Sequence, residues 1–184
     1  MAVTKPSLRL VKTFPFRGGT KEFSNRYYFS GGIPADNDAW HNLMDAVVNL
    51  EKAIYNPAVT IVNAFGYEPP SDVAVASKAY TTAGTQPAGV ATPGECAAIL
   101  RHQTNKRSSK NHPVYVFSYF HMAQRDSDKD TLDATQRAAI TGYGLNWRNG
   151  ITAGGITAIR CTPDGHVVTG HSVDQYIGHR DFPR

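Results

Sequence analysis

His102-Gln103-Thr104 is the triplet of this sequence that comes nearest to catalytic chemistry. A His-x-Thr pair serves phosphoester cleavage when two copies face each other across a pseudo-two-fold, one imidazole acting as base and the other as acid. The second copy fails here. His171-Ser172-Val173 places its hydroxyl one position early, and His166-Val167-Val168 has none. The remaining histidines, among them His112, His121 and His179, match no zinc spacing with neighbouring carboxylates. Cys96 and Cys161 lie too far apart for a CxxC pair, and the apolar run around Cys96 suits a buried free thiol. His179-Arg180-Asp181 shares its letters with a kinase catalytic loop, without a Gly-rich loop or a partner lysine. No Ser-His-Asp or Cys-His set can be assembled. The residues therefore predict no catalytic group, no metal ligand and no cofactor.

Binding chemistry is better supplied. Arg101, Lys106, Arg107 and Lys110, with Ser108, Ser109 and Asn111, put several phosphate-capable donors within a short stretch. Tyr115, Phe117 and Tyr119 follow at alternate positions, so on a strand they share one face. Such a face can stack on bases or lie buried in a core. Burial is the expectation, because Val114, Val116 and the neighbouring strands also need covering. Charge is uneven along the chain: residues 1–26 carry a net +5, residues 27–100 a net −5 and residues 101–112 a net +4. Basic charge gathered in an N-terminal segment and one loop predicts contact with a polyanion. Lys12 and Arg17 accordingly join Arg101, Lys106, Arg107 and Lys110 as expected nucleic-acid contacts.

The elements that must position these groups follow from periodicity and breakers. Residues 1–22 have no helical period and contain Pro6, Pro15, Gly18 and Gly19, which predicts an extended arm. Residues 23–30 are aromatic and β-prone before Gly31-Gly32. Asp36-Asn37-Asp38 then opens a helix whose Trp40, Leu43, Met44, Val47, Leu50 and Ile54 fall on one face, ended by Asn56-Pro57. Residues 58–65 and 72–82 read as a hairpin, and residues 83–91 as a loop. Thr92-Pro93-Gly94-Glu95 carries the signature of a helix start, which predicts a short helix to about Gln103. A buried strand over 113–121 precedes a second long helix from Asp130, with Leu132, Ala139, Ile140, Tyr143 and Trp147 on one side. Residues 156–162 and 166–173 read as a second hairpin around Pro163-Asp164-Gly165.

The expected fold is α+β: a mostly antiparallel sheet with two long helices on one face, from two strand-helix-hairpin units over 23–82 and 113–173. The expected organisation is an arm over 1–22, one domain over 23–175 and a tail over 176–184. At 184 residues the chain has the size of one domain with a self-sufficient core. No apolar run is long enough to cross a bilayer, and the first residues lack the apolar stretch of a signal peptide.

Several segments together carry a resemblance: Phe16 to Thr20, Asn25 to Phe29, Pro34 to Trp40, Ser109 to Tyr115, and the ending His179-Arg180-Asp181-Phe182-Pro183-Arg184. Taken together they resemble short coat or structural-type proteins of small environmental viruses. The resemblance implies a virion protein made in the host cytoplasm that assembles with copies of itself, without catalytic residues, and touches the genome through basic segments. The alternatives are a phage connector or tail-completion ring protein, and a two-histidine phosphoesterase-like enzyme.

Overall fold

Residues 7–16 alternate with period two. Leu8, Leu10, Lys12 and Phe14 point to one side and are fully buried or nearly so, while on the other side Ser7 and Val11 are buried and Arg9 and Thr13 half-buried. In the computed structural model, which describes residues 3–16, 18–86, 96–121 and 134–177, this stretch is strand β1 (Ser7–Phe16). It turns at Gly18, whose φ is +76°, and pairs along its whole length with β2 (Gly19–Ser30). Its other edge pairs with β3 (Thr60–Tyr67). The expected arm is thus a central strand. Pro6 and Pro15 fall at its two ends, where the breakers delimit a strand and do not dissolve one.

A six-stranded sheet results, in the order β4 (Ala74–Ala83), β3, β1, β2, β8 (Ile156–Cys161), β7 (Ile151–Ala153). A second sheet of three strands has the order β6 (Pro113–His121), β5 (Cys96–Arg107), β9 (Val168–Ile177). Every pairing is antiparallel. Strands make up about 50% of the described residues and helices about 23%, arranged as two sheets in a half-barrel, so the α+β expectation is corrected to a mostly β fold. Two readings caused the error: the arm is a strand, and residues 96–103, expected as a helix, open β5. The helix-start residues Thr92 to Glu95, the start of the second helix at Asp130, the side chains of Cys96 and His121, and residues 178–184 lie outside what is described; the backbone of Tyr176 and Ile177 belongs to β9.

Helix α1 (Asn37–Glu51) forms where its apolar stripe predicts, and the Asp36 carboxylate caps it by accepting from the Ala39 amide at 2.8 Å. Its Trp40 ring lies over Gly66 of β3, where a Cβ would come within 2.5 Å of the indole. Helix α2 (Ala134–Asn149) buries Gln136, Ile140, Tyr143 and Trp147. The helices do not share one face of one sheet. α1 packs on β3, β4 and β7, whereas α2 bridges β8 of the large sheet and β5 and β9 of the small one. Gly144 permits that bridge, since a Cβ there would stand 2.9 Å from Leu100.

The hairpin expected over 156–173 is also corrected. β8 and β9 are joined through Pro163-Asp164-Gly165, but among the described residues they share only the bridge Cys161 to Val167. β8 pairs with β2 and β7, and β9 leaves for β5, which offers it nine paired positions. The two strand-helix-hairpin units therefore do not repeat. The core lies between the inner faces of the two sheets and the two helices: Leu8, Leu10, Phe14, Tyr27 and Phe29 on one side, Leu100 and Phe120 on the other.

Candidate nucleic-acid interface

Strand β6 sorts its side chains by parity. Ser118 and Phe120 are buried against the core, and Val114 and Val116 are half-buried. Tyr115, Phe117 and Tyr119 face outward with 36%, 45% and 41% of their surface exposed. The expected burial of this stripe is overturned. One face of the three-stranded sheet covers the core and the large sheet does not wrap the other, so the aromatics stand in solvent. Their ring centroids are 6.4 Å apart from Tyr115 to Phe117 and 6.5 Å from Phe117 to Tyr119.

The register of β5 places Gln103 opposite Tyr115 and Arg101 opposite Phe117. Arg101 leans so that its guanidinium carbon lies 5.2 Å from the centre of the Tyr115 ring, and its Nε donates to Ser172 Oγ of β9 at 3.2 Å. Beyond Tyr115 the strand pair closes in a turn. The Ser108 amide donates to the His112 carbonyl at 2.9 Å, and Asn111 takes a φ of +61°. Arg107 and Lys110 are exposed at this turn, with no ion-pair partner among the described residues. An exposed aromatic row thus runs into a basic turn.

Other expected contacts fare differently. Lys106 is held by Asp164 of the β8–β9 turn, and the Lys106 and Thr162 hydrogen bonds hold the Asp164 carboxyl down at about 2. Lys12 is fully buried on the inner face of β1, paired with Glu51 of α1 and lying 5.0 Å from the Phe23 ring centre. Burial lowers its pKa and Glu51 opposes that shift. It cannot reach a polyanion, so its expected role is corrected: the period of β1 puts it in the core. Arg17 lies outside the described residues.

Two side chains that sequence reasoning missed fix β6 in place. The Asn25 amide of β2 donates to the Tyr119 carbonyl at 3.0 Å and accepts from the Tyr119 amide at 3.2 Å, so one side chain serves the strand edge as a neighbouring backbone would. Arg160 of β8, buried, donates to the Phe117 carbonyl at 2.7 Å and to Ser118 Oγ at 2.6 Å. The available signal was a guanidinium at the parity of Ala158, on the apolar side of β8.

His102 and His171 do face each other, paired in the β5–β9 register with ring centroids 6.0 Å apart. His102 is nonetheless fully buried, and neither of its ring nitrogens has a hydrogen-bond partner. Burial, then Arg160 and His171, lower its pKa to about 2. Thr104 Oγ1 is committed to the Val114 carbonyl at 2.7 Å. The side chains of His102 and Thr104 thus both point into the protein. Among the described residues no three His, Cys, Asp or Glu side chains are grouped to hold a metal, and no helix is long and apolar enough to cross a membrane. No family model matches the chain, and no curated protein or solved structure matches it.

Proposed function

We propose that this chain is a virion coat protein, which assembles with copies of itself and holds genomic nucleic acid against the open face of its three-stranded sheet. The observation that carries the reading is the exposed row Tyr115, Phe117, Tyr119 running into the basic turn with Arg107 and Lys110. A contiguous exposed aromatic patch marks a surface for a partner. A positive rim makes a polyanion the fitting partner. The sequence resemblance to small viral structural proteins supports assembly, and the sheet face supplies the genome contact. Such a protein is made in the host cytoplasm and ends in the virion.

Negative-stain images of the purified protein, with size-exclusion chromatography and the absorbance ratio of each fraction, test this directly. Closed particles carrying co-purified nucleic acid are the expected result. Single rings would replace the coat with a connector, and a monomer across micromolar concentrations would overturn assembly altogether.

A further inference from the structure

We infer that the Tyr115–Phe117–Tyr119 row is a stacking platform for unstacked single-stranded nucleic acid, bound without regard to sequence; this names the ligand of the face on which the proposed function rests. The spacing selects the ligand. Alternate residues on a strand are about 6.7 Å apart, and the rings keep that pitch at 6.4 and 6.5 Å. Bases stacked in a duplex rise about 3.4 Å each and hide their π faces. A single strand drawn out to about twice that rise presents one base face to each ring.

The rings and cations divide the work. Phe117 has no hydrogen-bonding group, so what it offers a base is area and a π surface, which every base can meet. Gln103, paired in register with Tyr115, is the neutral polar neighbour at the basic end. Arg107 and Lys110 stand beyond Tyr115, where a backbone leaving the platform would pass them. Asn25 and Arg160 hold the backbone of Tyr119 and Phe117 from the opposite edge, so the platform is fixed before any ligand arrives. A preset platform loses little order on binding.

Fluorescence anisotropy with a labelled twelve-nucleotide oligothymidylate, competed by oligoadenylate, a duplex of equal length and inorganic polyphosphate, is the test. Oligothymidylate and oligoadenylate are expected to compete within a few-fold of each other, and the duplex and polyphosphate at least tenfold less well at equal salt. Phe117→Ala should weaken single-strand binding roughly tenfold or more with the salt slope unchanged, and Phe117→Trp should retain binding. Arg107→Gln with Lys110→Gln should instead flatten the slope of log affinity against log salt by about 1.4, two phosphate contacts on a single strand. Polyphosphate competing as well as DNA, or Phe117→Ala binding normally while folded by circular dichroism, overturns the platform. Particle images separate this from the coat reading: particles without single-strand preference sink the platform alone, and single-strand binding by a permanent monomer sinks the coat alone.

Discussion

Lys12 and Glu51 form an ion pair in which neither side chain retains any exposure. β1 supplies the ammonium, the last turn of α1 the carboxylate, and the Tyr27 hydroxyl donates to the same carboxylate oxygen at 3.3 Å. Aromatic rings of Phe23 and Tyr55 flank the ammonium. The pair thus ties the central strand to the helix at a site from which water is excluded. Removing one partner strands the other charge in that site. Lys12→Met should destabilise the fold by about 3–5 kcal/mol, whereas the double change Lys12→Met with Glu51→Leu should recover most of the loss. Urea unfolding of wild type and the two variants measures this. Nucleic-acid affinity of any folded variant should be unchanged, because Lys12 does not reach the surface.

The same strand changes what truncation does. A peripheral arm could be cut away and leave a folded domain. Ser7–Phe16, however, pairs on both edges and buries Leu8, Leu10 and Phe14. Deleting residues 1–16 should abolish cooperative unfolding and leave insoluble or molten protein. Leu10→Ala should cost about 2–5 kcal/mol, the range for a buried large-to-small change. A soluble truncated protein with a sharp thermal transition would contradict the central position of β1.

Local patterns made much of the architecture legible. The α1 stripe, the β3–β4 hairpin and the 113–121 strand all rest on periodicity within a dozen residues, and all are present. What escaped depends on partners distant in sequence. Nothing in residues 7–16 reveals that β2 and β3 will flank them, and the turn chemistry of Pro163-Asp164-Gly165 cannot tell a hairpin from a crossing between sheets. Residues 96–103 carry Ala, Ile and Leu, which suit a helix locally, but pairing with β6 and β9 on both sides overrides that preference. The interface was half legible. Arg101, Arg107, Lys110 and the aromatic alternation were visible in the sequence, but which face of β6 meets the core depends on the parity of Ser118 and Phe120 against Leu100 and α2.

Burial of His102 makes the fold acid-sensitive. In the unfolded chain its imidazole titrates near 6.5, and in the folded chain burial, with Arg160 and His171 adding to it, holds the pKa near 2. Well above pH 6.5 neither state binds the proton, and the group adds no pH dependence. Below it the unfolded chain binds a proton that the folded chain refuses, so stability falls as pH drops towards 2. Between pH 6.5 and 4.5 this one group should remove about 2–3 kcal/mol. His171, also lowered by burial and by Arg148, adds in the same direction. His102→Gln should flatten the decline in chemical-denaturation midpoints over that range. An identical pH profile in wild type and variant would mean that the acid sensitivity lies elsewhere.

Asn25 joins the two sheets through a single amide, and its two hydrogen bonds can be separated by chemistry. The side chain donates to the Tyr119 carbonyl and accepts from the Tyr119 amide. Asn25→Asp keeps the acceptor but loses the donor and sets a carboxylate against the carbonyl. Asn25→Ala loses both. Each leaves part-buried backbone of Tyr119 without a partner, for an expected cost of about 1 kcal/mol per lost hydrogen bond. The diagnostic readout is local: hydrogen exchange at the Tyr119 amide should accelerate in Asn25→Ala and stay closer to wild type in Asn25→Asp. Amides of Ser118 and Phe120, on the side of β6 that faces β5, should change less in both. If the aromatic row depends on this anchor for its orientation, Asn25→Ala should also weaken oligothymidylate binding several-fold without altering its salt slope. Uniform acceleration along β6 would instead show that the strand detaches as a whole, and that Arg160 alone cannot hold it.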